Sequence, residues 1–576
     1  MGVLGVKSWL SSSKTNTSVG DLADIQTIEE RDISYDDSSN KEEGNVDEIK
    51  LDHGERRIGY ISAVFLVTNR IVGTGIFSTS STIFTLSGSV GTSLILWFVG
   101  ALIAMAGLFV YASFGSYPIR QLQRNGGEKN YLEFIYKKPK FMVTCMYAVY
   151  ILLLGWAAGN SVVFGEYILL AAGKDDTEWA SRGIGIACVS FAFLVHGVNV
   201  TAGMYLQNLL GVFKVAVIIV ISVTGWVALG GGLKTGTYEP THNFSDAFSG
   251  SKPTGYGIVT ALYNVIWSYI GYSNVNYSLS EVKDPVRALK YSAPAALVVI
   301  SIIYMFVNIA YFAVIPKDVI SSSGQIIAAD FFKIAFGTKA QKAISVFVAL
   351  SALGNVMSVI FSQGRIVQQL GREGVLPFSK LFATQRPFNS PFVGLFEHWL
   401  ICVITIVAPP LGDAYNFVLN LISYPLNIIN FFVAIGLLWL HFRAHRGEIE
   451  WKPPIRSPII VTFFFALASL YLVIAPYIPP DDGQSVYTSM PYWTHCVAAW
   501  GVFFVGFVYW VIWALVLPKL GHYKLVNKEI LDSDGFWKNK FFKVPNDVVD
   551  IDDYVNKKYN VTGDGVEYTE TAAPII

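Results

Sequence analysis

About twelve apolar stretches, each of roughly 20 residues or more and so long enough to cross a bilayer as a helix, follow one another along the chain. They lie near 58–85, 92–116, 140–172, 182–200, 204–230, 256–280, 292–315, 341–368, 392–409, 414–441, 457–478 and 492–517. Turn residues and charges separate them, as at Gly126-Gly127 and Pro453-Pro454. Hydrophobic residues make up 53% of the chain and charged residues only 15%, a balance too apolar for a soluble globular protein of this length. The pattern predicts an all-α polytopic membrane protein.

Several function classes are disfavoured at once. Net charge is zero, so nothing points to nucleic acid as a partner. Cys145, Cys188, Cys402 and Cys496 all fall in apolar stretches and form no CxxC pair, which reads as small core residues. No His/Cys/Asp/Glu group has metal-ligand spacing, and no Walker A or nucleophile-elbow motif occurs. The reading is therefore not an enzyme, with no resident cofactor and no metal. No cleavable signal peptide is expected, since the first fifty residues are polar.

The first apolar stretch contains Val67-Thr68-Asn69-Arg70-Ile71-Val72-Gly73-Thr74-Gly75-Ile76-Phe77. Two glycines so close weaken a helix. Unwound backbone at membrane depth is tolerated only where protein buries it or it lines a cavity. Freed N–H groups at the start of the second half-helix suit an anion such as a carboxylate. Taken alone, the stretch reads equally as half of a substrate site or as a glycine seam for close packing. The sixth stretch repeats the feature in Trp267-Ser268-Tyr269-Ile270-Gly271-Tyr272-Ser273-Asn274. Interrupted segments five spans apart point to an inverted-repeat transporter. The repeats would cover about 58–230 and 256–441, with extra helices at 457–517, inside a transporter domain at 56–520.

Lys and Arg concentrate in alternate loops, among them Arg120, Arg124, Lys129, Lys137, Lys138 and Lys140, which places both termini in the cytosol. The sequon at Asn243 would then face outward as a glycosylation candidate. Lys214 lies within the fifth stretch, either facing the bundle as a cation or proton exchanger or snorkelling to the inner interface. Arg70 reads either as an inner gate residue or as a snorkelling arginine. Asn160, Gly354-Asn355 and Asn420 through Asn430 add polar groups to the third, eighth and tenth stretches. Residues 1–55 read as a disordered tail, either merely solvated or regulatory, with Lys7, Lys14, Lys41 and Lys50 open to ubiquitin through a ligase adaptor. Residues 521–576 form a polar cytosolic tail with Trp537, Phe541 and Phe542, either docked on the inner face or free.

Four motifs resemble those of the amino acid–polyamine–organocation superfamily. They are Gly73-Thr74-Gly75-Ile76-Phe77, Asn125 through Leu132, Glu281-Val282-Lys283-Asp284-Pro285-Val286-Arg287, and Arg365 with Arg372 through Pro377. The stretches Trp156–Asn160, Ser268–Asn276 and Phe361–Arg365 resemble its methionine-transporting members. The resemblance covers roughly residues 55 to 520 and implies the LeuT-like five-plus-five inverted-repeat fold. It implies that Gly73, Thr74 and Gly75 bind an amino acid carboxylate, and that carbonyls of Ile71, Trp267 and Ile270 bind its ammonium. Trp267 matches a gating aromatic, with Ser268 beside it. Gly155, Trp156 and Asn160 match side-chain pocket positions. Lys214 matches a lysine at the sodium-site position, which argues for the proton as coupling ion. Gly271 is followed by Tyr272-Ser273 where many relatives carry an acidic residue, so that residue's role does not transfer. The expected function is plasma-membrane import of methionine, or other sulfur-containing amino acids, by proton symport with alternating access. A broad neutral amino acid exchanger and a non-transporting amino acid sensor are the alternatives.

Overall fold

The computed structural model describes residues 58–566 apart from 120, 175–176, 236, 252–253, 411, 482–484, 532–536, 560 and 563–564. The leading tail, with Lys7, Lys14, Lys41 and Lys50, lies outside the described residues. Ten helices among these residues are long and apolar enough to cross a membrane. They are Tyr60–Ser78, Val90–Gly115, Met142–Ala172, Trp179–Val198, Val200–Leu229, Pro285–Val314, Thr338–Glu373, Ala414–His445, Ile459–Tyr477 and Thr494–Leu520. Two shorter elements complete the predicted series. The ninth span is Phe392–Val407, of 16 residues. The sixth is a helix over Gly255–Tyr269 that resumes as a tighter 3-10 helix over Asn274–Glu281. The chain is a multi-pass membrane protein.

Local chemistry sets several starts and stops. Ser89, Asn199 and Thr254 each accept a backbone N–H of the helix they precede, which satisfies one of its orphan donors. Asn199 is also the only residue between the fourth and fifth helices. The first span breaks at Val72–Thr74, as its glycines predict. The third span breaks too, which the sequence reading did not foresee: its helix ends at Leu153 and restarts at Ala158.

The core around the breaks is aromatic. Trp97 of the second span meets Tyr304 of the seventh edge-on at 5.6 Å and Tyr269 of the sixth at 6.1 Å. Such pairs add roughly 0.5–1.5 kcal/mol each beyond the area they bury. The four cysteines are buried and unpaired.

Beyond the twelfth span, strand β1 (Tyr523–Leu531) pairs antiparallel with β2 (Trp537–Pro545). The hairpin packs on the helices. Phe541 stands edge-on to Phe141 at 4.9 Å and to Trp513 at 5.1 Å. The Arg124 guanidinium donates to Asn539 Oδ1 at 2.7 Å and to Glu529 Oε1 at 3.2 Å. Successive strand residues face opposite ways. Phe542 and Val544 accordingly pack with Ile530 and with Val555 of the helix Ile551–Tyr559. The membrane part is thus all-α, and the strands lie outside it. Phe541→Ala removes two ring contacts, at a cost of about 1–3 kcal/mol to docking. Limited proteolysis in detergent should then cut the hairpin faster while the membrane core stays intact.

Candidate functional site

The first and sixth spans meet at their breaks. A Cβ added to Gly75 would lie 2.5 Å from Ser268 Oγ and 2.7 Å from Ser268 Cα, so only glycine allows this approach of the two backbones. Gly271 has φ +119°, and a Cβ there would also strike Arg70 Cγ at 2.4 Å. The crossing therefore depends on a glycine from each break.

A cavity of about 20 Å³ lies at this crossing. Arg70, Ile71, Gly73, Thr74, Gly75, Trp156, Asn160, Trp267, Ile270 and Asn355 line it. That volume holds about one water molecule, so an amino acid enters only if the walls separate. The amides of Thr74, Gly75 and Ile76 open the second half-helix, where no preceding turn supplies acceptors. Trp156 and Trp267 supply nearly buried indoles, and among the described residues Trp156 Nε1 has no hydrogen-bond partner.

A chain of side-chain hydrogen bonds crosses the cavity wall. Thr74 Oγ1 donates to Asn160 Oδ1 at 2.5 Å, and Asn160 Nδ2 donates to Asn355 Oδ1 at 3.0 Å. It joins the first, third and eighth spans. The Ile71 carbonyl already accepts the Gly73 N–H at 2.8 Å and the Tyr304 hydroxyl at 3.1 Å. A ligand ammonium would have to displace one of these donors to use that oxygen.

Eight of the ten expected site residues line the cavity. Gly155 and Ser268 do not. Gly155 packs on Thr405 of the ninth span, where an added Cβ would lie 2.5 Å from Thr405 Oγ1. Ser268 Oγ instead donates to Asn264 O at 2.9 Å and lies 3.1 Å from Thr79 Oγ1. Asn355 lines the cavity and was noted in the sequence only as one of several intramembrane polar residues. Its place beside Gly354, opposite the polar Asn160, was the available signal.

Lys214 is 2% exposed, buried among the helices. Its Nζ lies 3.4 Å from Asn69 O, just before the first break, and its Cε is 3.5 Å from where a Gly354 Cβ would stand. The ammonium thus sits between the fifth, first and eighth spans. Arg70 is half-buried at the cavity edge and makes no ion pair among the described residues. Asn243 is buried, and its amide donates to the carbonyls of Phe312 and Ile315, both at 2.8 Å. A sugar on that nitrogen would displace one of these bonds. Asn355→Ala should lower the melting temperature by leaving the Asn160 amide unpaired, at about 1–3 kcal/mol. Adding Asn160→Ala should then cost less than its own single effect, because the two residues share one bond. Thermal unfolding of the purified protein checks both.

Comparison with known proteins gives this geometry a family. The amino acid permease family model matches residues 58–503. The high-affinity methionine permease of Saccharomyces cerevisiae is 59% identical over 517 residues, covering 89% of each chain. The low-affinity methionine permease of the same yeast is 31% identical over 495 residues, covering 85% of this chain and 88% of the relative. The human b(0,+)-type amino acid transporter 1 is 25% identical over 441 residues, covering 75% and 85%. A chain with twelve successive apolar spans, broken at the first and sixth around one cavity and matched by that model over most of its length, belongs to the amino acid permease family.

Proposed function

We propose that the protein imports methionine across the plasma membrane by proton symport. The observation that carries this reading is the cavity at the two breaks. Half-helix amides on its first-span side suit a carboxylate, and carbonyls at Ile71, Trp267 and Ile270 suit an ammonium. The resemblance to two yeast methionine permeases supports methionine as the substrate. A thioether asks for an apolar, polarizable pocket, and the rings of Trp156 and Trp267 offer one.

In this reading the substrate zwitterion bridges the two breaks. Its carboxylate competes with Asn160 for the Thr74 hydroxyl and so loosens the bonded chain between the first, third and eighth spans. Trp267 closes over the bound molecule. Lys214 couples the proton: an ammonium there holds Asn69 O and ties the fifth span to the first beside the break, and a neutral amine releases that charge-assisted contact. The N- and C-terminal segments face the cytosol, where lysines such as Lys7 and Lys14 accept ubiquitin through a ligase adaptor.

Uptake of labelled methionine into cells lacking their own carriers tests the reading. Accumulation should be stronger in acid medium and lost with a protonophore. Lys214→Ala should abolish the dependence on the proton gradient. Saturable binding without accumulation would indicate a sensor, and uptake indifferent to the gradient would indicate an exchanger. Thr74→Val removes one hydroxyl donor and should weaken the apparent affinity by roughly tenfold, the equivalent of about 1.5 kcal/mol.

A further inference from the structure

The loop between the second and third spans carries a short helix, Glu128–Ile135. Gly126 and Gly127 precede it with φ of +129° and +53°, and a Cβ on Gly127 would lie 3.0 Å from the Tyr277 ring. This turn presses the helix start against the segment that continues the sixth span past its break. Glu128 is consequently 2% exposed, although it belongs to a loop.

Phenols surround its carboxyl, which also takes a hydrogen bond from its own backbone. Tyr277 donates to Oε1. Tyr111 of the second span lies 3.2 Å from the same oxygen. Tyr147 and Tyr150 face it from the third span, Tyr272 from the sixth break and Tyr131 from its own helix. Among the described residues no ion pair reaches it. The neighbouring Lys129 turns away to Glu373 at the end of the eighth span and to Glu133, 3.6 Å away. Arg70 faces Tyr277, not the carboxyl itself.

A count of hydrogens points to the protonation state. Tyr111 has one hydroxyl hydrogen, and its 2.7 Å contact to Asn430 Oδ1 is the shorter of its two. One hydrogen cannot fully serve both oxygens, and a proton on the carboxyl would let Glu128 donate to the Tyr111 oxygen while Tyr111 donates to Asn430. We propose that Glu128 is a proton-binding site, separate from Lys214, whose bound proton fastens the loop helix to the second and sixth spans. Burial acts the same way: it lifts the carboxyl above the ordinary carboxylate range, against the lowering by the Tyr277, backbone, Tyr111 and Tyr147 hydrogen bonds.

The sign follows from linkage. The protonated form belongs to the fastened arrangement, and separation of the loop from the spans exposes the carboxyl to water, where it ionises and releases its proton. Fastening is therefore favoured in acid. It weakens as pH rises through the window between the ordinary and the raised value. This rests on the proposed orientation, in which the loop faces the cytosol. Acid on that side would slow the transition that opens the site inward.

The test uses the full chain in proteoliposomes, with external and internal pH set independently. Methionine counterflow should slow several-fold as the compartment facing the loop is acidified. Glu128→Gln should abolish that response. Tyr277→Phe removes a bond that favours the ionised carboxylate and should shift the midpoint to higher pH, which a purely structural role would not do. Infrared difference spectra give a readout without transport: a protonated-carboxyl band should titrate in the wild type and be missing in Glu128→Gln. A pH response or a band that survives in Glu128→Gln overturns the site. A response that vanishes in Glu128→Gln but follows the opposite compartment keeps the site and overturns the orientation. A titrating band without methionine transport keeps the site and overturns the transport reading.

Discussion

A bilayer offers no water to a broken helix, so each break must satisfy its own backbone or surround a ligand. Most of what is distinctive in this chain follows from that constraint. At the first break, the hydroxyls of Tyr304, Tyr311 and Tyr167 reach carbonyls of Ile71, Ile76 and Phe77. The seventh and third spans thereby support a segment that cannot support itself. What they leave open are the amides at the start of the second half-helix, on the cavity side. The tyrosines stabilise the break and also fix which of its polar groups remain for a substrate.

The same requirement explains the density of polar contacts in the wall. Thr74, Asn160 and Asn355 bond in series among three spans that are far apart in sequence. In a low-dielectric interior such a chain is stable only when complete. A ligand that takes one member perturbs all three spans. A site of about one water's volume can in this way respond as a unit to a molecule much larger than itself.

How much of this was legible in the sequence differs by feature. The twelve spans were legible because hydrophobic length is a strong local signal, and the two breaks because a glycine-interrupted stretch recurs five spans after the first, which the first stretch alone did not decide. The third break was not. Ala157 and Ala158 are good helix formers, and the polar run Gly155–Asn160 reads as packing until Thr405 of the ninth span is seen wedged against Gly155. Asn355 was visible but indistinct, because a single asparagine in a span serves many purposes. Ser268 was included for its place beside Trp267, yet the helix turns its hydroxyl back to Asn264. The hairpin was hidden by its composition: Lys538, Lys540 and Lys543 between aromatic residues look like a solvated tail until Phe541 is placed among Phe141 and Trp513.

The fourth and fifth helices are joined through Asn199 alone. With a single residue in that joint, neither helix can slide far along its axis without carrying the other. Lys214 is carried by the second of them. Under the proposed cycle, its 3.4 Å contact with the Asn69 carbonyl would register any displacement of the first span relative to that pair.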